Sequence, residues 1–91
     1  MAENESSETP EQAREKARKA DHARLVGLKR SAESARVTAQ KGEYYAGAWQ
    51  EWRTLAEAYQ AALSAHVATY GTDRFGLERE IWAALHAAEA A

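Results

Sequence analysis

Apolar residues recur at steps of three and four along two long stretches of the chain, which is the spacing of helices that pack along their length. In the first stretch these residues are Leu25, Leu28, Ala32, Ala35 and Ala39. In the second stretch they are Tyr45, Trp49, Trp52, Ala56, Tyr59, Leu63, Val67 and Tyr70. Because Val occurs three times and Ile once, while Ala, Glu, Leu and Arg dominate, the chain favours helices over strands. The pattern predicts an all-α fold.

Capping residues mark the ends of the predicted helices. Thr9, Pro10 and Gln12 are typical of a helix start, in which Thr9 caps and Gln12 completes a capping box. Lys41 and Gly42 are typical of a helix end with the glycine in a left-handed conformation. We therefore predict helices at about 10–41, 43–70 and 74–90, within one helical domain spanning 9–91.

The segments outside the two long helices give weaker signals. Residues 1–8 are polar and acidic, and we predict that they form a disordered tail. Gly71 ends the second predicted helix, and either Thr72 or Asp73 can cap the third. Gly76 falls in the first turn of that third helix, where it weakens the predicted start.

The two long helices have complementary side-chain sizes when the chain is folded back near Gly42. If the numbers of opposed residues add up to about 84, Ala35 faces Trp49 and Ala32 faces Trp52, so that small residues oppose large ones. This complementarity predicts an antiparallel helical hairpin.

Closer to the start of the first helix, the same register opposes two large residues, Leu25 and Tyr59. We therefore predict that the register shifts by about one residue near Asp21, so that Ala20 meets Leu63.

A second apolar strip on the second helix needs a partner of its own. It comprises Tyr44, Ala48, Leu55, Ala62 and His66. The shorter third helix offers a matching strip of Leu77, Ile81, Ala84, Leu85 and Ala88. We predict that the third helix covers the second, which then lies in the middle of a three-helix arrangement.

The chain has few large apolar side chains with which to fill a core. Of its 41 apolar residues 22 are alanine, which leaves 19 larger ones. Phe75 and Trp82, with His86 nearby, fall on the side of the third helix that faces away from the predicted core. Because a tryptophan outside the core is a candidate interface anchor, we predict that these three residues form an interface in a helical-bundle oligomer. The alternative is a rotated third helix with Trp82 in the core.

Charge is unevenly distributed although the net charge is only −2. Residues 11–41 hold nine Lys or Arg against four Asp or Glu, whereas 42–91 hold three against seven. Opposite charges favour contacts within the hairpin or between subunits. The alternative is nucleic-acid binding through Lys16, Lys19, Arg30 and Lys41, although no aromatic residue lies among them to stack on a base.

The sequence has no motif of an active site or a metal site. His22, His66 and His86 lie one on each predicted helix, and none is spaced with a second ligand on the same face. We expect His66 to be a packing histidine with a satisfied N–H. No nucleophile motif or glycine-rich phosphate loop is present. We therefore expect no enzymatic activity, no metal and no cofactor.

The aromatic residues of the second helix allow two interpretations. Tyr44, Tyr45, Trp49, Trp52 and Tyr59 could line a ligand pocket between helices. At helical spacing, and opposite alanines, they are more typical of a core.

Three features of the composition bear on where the protein works. The chain has no cysteine, which excludes disulfides and thiolate zinc sites and favours a cytoplasmic location. No apolar stretch reaches the roughly 18 residues of a membrane span. The Ala-rich, Ile- and Asn-poor composition is typical of GC-rich bacterial or phage genomes.

Two short segments are similar to known patterns without completing them. Lys41-Gly42-Glu43-Tyr44 is similar to the helix-turn-helix corner of a tetratricopeptide repeat, but no second copy follows. Small hairpin proteins of the WXG type carry W-x-G at the turn, whereas Trp49 and Trp52 form W-Q-E-W within the second helix. The motifs therefore indicate no family. We expect a non-enzymatic helical protein–protein interaction module that uses the third helix and the outer face of the first to self-associate or, alternatively, to bind another protein.

Overall fold

The computed structural model describes residues 7–42 and 46–90, with only the backbone described for Ala46 and for 88–90. Within these residues the chain is all-helical, with no strands. Its three helices are α1 (Pro10–Lys41), α2 (Ala46–Tyr70) and α3 (Arg74–Ala90). Tail residues 1–6, the predicted first turn of the second helix at 43–45 and the side chain of Ala88 lie outside the described residues.

The start of α1 is the capping box that the sequence predicts. The Thr9 hydroxyl accepts from the backbone N–H of Gln12 at 3.1 Å, and the Gln12 side chain accepts from the Thr9 backbone N–H at 2.9 Å. Pro10 occupies the first turn, where a missing N–H costs nothing. These two reciprocal bonds satisfy backbone donors that the helix itself cannot pair.

The two long helices end differently from each other. Gly42 closes α1 with φ −85° and ψ −177°, so the prediction of a left-handed glycine there is wrong. Its N–H nevertheless bonds the carbonyl of Thr38 at 3.2 Å. The left-handed glycine follows α2 instead, where Gly71 has φ 64° and donates to the carbonyl of Val67.

Asp73 starts α3. Its carboxylate accepts from the backbone N–H of Gly76 at 2.8 Å, and its carbonyl accepts from Leu77. A Cβ atom on Gly76 would lie 3.0 Å from the Asp73 Oδ2 atom. The glycine that weakens the helix start by propensity therefore leaves room for the capping carboxylate.

All three helices contribute to one hydrophobic core. Its buried members are Leu25 from α1, Tyr59, Ala62 and Leu63 from α2, and Leu77 and Ile81 from α3. Val26, Leu28 and Val67 pack around them. The residues of the first and third helices that the helical spacing assigns to apolar strips are thus the ones that contribute to the core. Ala32, Ala39 and Leu85, from the same strips, are also buried.

Contacts between α1 and α2 proceed in opposite senses along the two helices. The Arg14 guanidinium donates to the carbonyl of Thr69 at 2.9 Å. Seven residues further along α1, Asp21 meets His66, and the ammonium of Lys29 lies 5.1 Å from the centre of the Tyr59 ring.

Ala20, which the predicted register places against Leu63, is exposed. Leu63 is fully buried and packs in the cluster with Leu25. From Glu11 to Ala20, every α1 side chain except the half-buried Arg18 is exposed, since this part of α1 offers only alanine methyl groups as apolar surface.

Helix α3 contacts α1 as well as α2. The prediction that the second helix lies between the other two is therefore wrong. The Arg74 guanidinium donates to Ser64 at 2.9 Å and to Gln60 at 2.6 Å, both on α2. On the other side, Glu80 lies 3.4 Å from the imidazole of His22 on α1.

Trp49 and Trp52 are half-buried, and their rings meet edge to face with centroids 5.8 Å apart. Tyr59, two turns further along α2, is buried. Tyr44 and Tyr45, the other two members of the run of five aromatic residues that begins at Tyr44 and ends at Tyr59, lie outside the described residues. Of the described part of the aromatic run, Tyr59 therefore belongs to the core, whereas Trp49 and Trp52 lie half-buried against each other.

Candidate interaction surface

The outer face of α3 exposes two large aromatic side chains. Phe75 is 77% exposed and Trp82 is 48% exposed. With Arg79 and His86 they follow steps of four, three and four, which place all four side chains on one face of the helix. The α3 strip is the name we use below for Phe75, Arg79, Trp82 and His86.

The indole of Trp82 is held in place by its neighbours. Its ring centroid lies 4.2 Å from that of His86 in an edge-on arrangement. The Lys29 ammonium of α1 lies 6.0 Å from the Trp82 ring and 5.1 Å from the Tyr59 ring. Both are within cation–π range, so Lys29 links the exposed indole to the buried phenol. Burial, with a smaller contribution from Glu78, raises the pKa of Tyr59.

Two grooves flank Trp82. The first, of about 350 Å³, is lined by Lys29, Tyr59, Phe75, Glu78, Arg79 and Trp82. The second, of about 520 Å³, runs between α1 and α3 and includes Arg30, Arg36, Val37, Lys41, Trp82 and His86. Among the described residues, the three exposed large hydrophobic side chains are Val37, Phe75 and Trp82, and each lines at least one of these grooves.

The cations of the second groove are only partly neutralised. Glu33 forms ion pairs with Arg36 at 3.0 Å and Lys29 at 3.5 Å. Burial acts to raise the pKa of the Glu33 carboxyl, but these two cations outweigh it and the net shift is downward. No ion pair of Arg30 or Lys41 appears in the described part of the chain.

The four basic residues predicted to contact nucleic acid separate into two groups. Arg30 and Lys41 line the groove between α1 and α3. Lys16 and Lys19 lie near the start of α1, beside Glu11 and Glu15 in a third depression. Eleven residues separate Lys19 from Arg30, which is about 16 Å along a helix. The four therefore do not form one continuous basic strip.

A buried polar pair joins α1 to α2 away from the aromatic face. His66 is 1% exposed, and its Nδ1 atom lies 2.8 Å from Oδ2 of Asp21. Arg24 donates to the other carboxylate oxygen at 3.0 Å, and the Tyr70 ring lies against that of His66 at a tilt of 50°, with centroids 4.8 Å apart. The hydrogen bond to His66, followed by that to Arg24, lowers the pKa of Asp21 despite its partial burial. This contact satisfies one ring nitrogen of His66, as predicted.

The pair with Asp21 was missed at the sequence level, although a signal was present. Asp21 interrupts the apolar spacing of α1 four residues before Leu25, and His66 interrupts the second apolar strip of α2. Two polar residues at apolar positions on facing helices suggest a hydrogen bond, because a buried polar group needs a partner.

No group of three or more residues among 7–42 and 46–90 is arranged to hold a metal ion. In the same described ranges, no helix combines the length and apolar character needed to cross a membrane.

No family model, curated protein or solved structure matches the chain. The contacts and surfaces above are therefore the basis for the function we propose.

Proposed function

We propose that the protein is a non-enzymatic helical protein–protein interaction module that self-associates through the α3 strip and the outer face of α1. The observation that carries this proposal is the exposure of Phe75 and Trp82 on one helix face. Tryptophan contributes strongly to binding when a partner removes it from water. In a chain with so few large apolar residues, two aromatic side chains outside the core are better explained by an interface than by folding.

The interface extends from α3 onto α1. Val37 lines the same groove as Trp82 and His86, so the exposed apolar groups of the two helices are neighbours. Lys29 and Arg30 border this area from α1. An apolar centre with a charged border is the usual anatomy of a protein interface.

A rigid support for this surface follows if α1 and α2 form the antiparallel hairpin that the sequence predicts. The pairs Arg14 with Thr69 and Asp21 with His66 support that arrangement, because the partner on α2 moves backward as α1 moves forward. The core contacts of Leu77 and Ile81 then fix the rotation of α3 and keep its opposite face outward.

The test is the mass of the purified protein in solution, measured by sedimentation equilibrium from about 10 to 200 μM. We expect an oligomer that Trp82→Ala and Phe75→Ala each weaken by at least tenfold, with helix content unchanged by circular dichroism. Arg53→Ala, an exposed position on α2, serves as the control and should leave the mass unchanged. A wild-type protein that stays monomeric over this range would refute self-association.

The groove between α1 and α3 supports a second candidate function, the binding of single-stranded nucleic acid. Arg30, Arg36 and Lys41 line it together with Trp82 and His86. Helix α3 thus brings an aromatic side chain next to basic residues of α1, a helix that has no Phe, Tyr or Trp of its own. Phosphates and stacked bases are recognised by this combination of side chains.

This second function predicts binding of a labelled single strand that weakens steeply with salt. Changing Arg30 and Lys41 to Gln should reduce the affinity, whereas changing Lys16 and Lys19 to Gln should reduce it much less, because those two lie outside the groove. The absence of binding at low salt would exclude this function and leave self-association unaffected.

A further inference from the structure

We infer that the protein dimerises by packing α3 antiparallel against α3 of a second copy, with Arg79 of each copy stacked on the indole of Trp82 in the other. This inference rests on the proposed self-association and specifies its geometry. The α3 strip carries it, because the order of its four side chains is self-complementary.

The complementarity follows from the positions in the strip. Phe75 and His86 lie equally far from the point midway between Glu80 and Ile81, and so do Arg79 and Trp82. A two-fold axis through that point opposes Phe75 to His86 and Arg79 to Trp82, twice each. A symmetric interface requires this kind of reciprocal pairing.

The two central residues, Arg79 and Trp82, have compatible chemistry. A guanidinium on an indole is a favourable cation–π contact, and Arg stacks on aromatic faces better than Lys does. Arg79 is exposed and lines the same groove as Trp82, and no ion pair among the described residues competes for its guanidinium. About half of the Trp82 surface remains open, although Lys29 and His86 already contact the ring.

A parallel pairing of the same helices lacks this match. It would oppose Arg79 to Arg79, and like charges directly opposite each other are destabilising.

The available surface suits a modest dimer interface. At about 200 Å² per aromatic side chain, the exposed parts of Phe75 and Trp82 amount to roughly 250 Å² in each copy and 500 Å² in the dimer. That is about a third of a standard interface of about 1,600 Å². Helix α3 has 17 residues, so the contact is about 25 Å long, and the flanking Lys29, Glu78 and Val37 supply further area.

The first part of the test is a matched pair of charge reversals, measured by sedimentation equilibrium. Arg79→Glu and Arg53→Glu change the net charge equally, and both arginines are exposed helical residues. We expect Arg79→Glu to weaken the dimer at least tenfold and Arg53→Glu to change its affinity less than twofold. Arg79→Lys should fall between Arg79→Glu and the wild type, because it keeps the charge and loses the planar stacking group.

The second part measures the direction of pairing. Since the chain has no cysteine, Ala83→Cys and Ala87→Cys each place one spin label on every copy, at exposed positions beside the strip. In the antiparallel dimer, the axial separation is about 7 Å between labels at 83 and about 20 Å between labels at 87. Pulsed electron–electron double resonance should show a clearly longer label-to-label distance in Ala87→Cys than in Ala83→Cys.

The outcomes separate the geometry from the proposed function. A dimer with equal label distances in both variants, or one that Arg79→Glu does not weaken, overturns the antiparallel pairing and leaves self-association standing. A wild-type protein that is monomeric up to about 200 μM overturns both.

Discussion

Replacing Asp21 by alanine is expected to destabilise the protein far more than a change at a typical helix surface. The carboxylate joins α1 to α2 through its 2.8 Å hydrogen bond to Nδ1 of His66. The Nε2 atom of this buried imidazole already lacks a hydrogen-bond partner among the described residues. Without Asp21, neither ring nitrogen of the buried imidazole would have a protein partner among the described residues.

The expected magnitude follows from the burial of the two side chains. An unsatisfied buried polar group costs about 1–3 kcal/mol. The His66 side chain is fully buried, but that of Asp21 is 23% exposed, so solvent can reach part of the space left by the carboxylate. We therefore expect Asp21→Ala to reduce the free energy of unfolding by about 2 kcal/mol. For a domain of this size, the midpoint of thermal unfolding should fall by roughly 8 to 16 °C.

Urea unfolding followed by circular dichroism at pH 7 measures this loss, at one fixed protein concentration because self-association also stabilises the folded state. Arg24→Ala is the matched control, because it removes the other hydrogen-bond partner of Asp21. Since the Arg24 side chain is exposed, this change should reduce the free energy of unfolding by less than about 0.5 kcal/mol. The double variant Asp21→Leu with His66→Phe removes both polar groups and should recover most of the stability. If Asp21→Ala unfolds within about 0.5 kcal/mol of the wild type, our account of the buried pair is incorrect.

Three further predictions concern pH, backbone conformation and capping. The pKa of Asp21 is lower in the folded state than in the unfolded chain. The stability that its carboxylate contributes is therefore fully present above the unfolded pKa of about 3.9 and is lost as the pH falls through the folded value. Urea titrations should show the wild type losing its stability advantage over Asp21→Asn at acidic pH. Gly27→Ala and Gly71→Ala both add a methyl group in open space, but only Gly71 has a positive φ, of 64°. Thermal unfolding should therefore show that Gly27→Ala stabilises the protein by about 0.5–1 kcal/mol and that Gly71→Ala destabilises it by about 1 kcal/mol. Equal signs for the two would contradict the backbone argument. Thr9→Ala removes the cap of α1 and should cost about 1 kcal/mol, with faster hydrogen exchange confined to the first turn; unchanged exchange there would show that the cap contributes nothing.

Local signals were enough to find the helices and one of their caps. Thr9, Pro10 and Gln12 predict the start of α1 because a capping box involves only neighbours in the sequence. The glycine conformations could not be assigned in this way. Gly42 and Gly71 both follow helices, yet only Gly71 has a positive φ, since the direction in which the chain leaves each helix depends on what it joins next.

The candidate surface was predictable in part. Helical spacing places Leu77 and Ile81 on one face of α3 and Phe75 and Trp82 away from it, and the structure buries the first two and exposes the other two. The contact of Trp82 with Lys29 was not predictable, because 53 residues separate them along the chain.

The sequence by itself determined which segments are helical, where α1 begins and which face of each helix is apolar, because these properties depend on residues within a few turns of one another. Only the tertiary structure decided that α3 packs on α1 as well as α2, that Asp21 meets His66, and that Trp82 lies beside the cations of α1. Those contacts depend on the relative position and rotation of whole helices. With 22 alanines in the chain, several helix registers have similar side-chain complementarity, and the spacing of residues within one helix cannot distinguish among them.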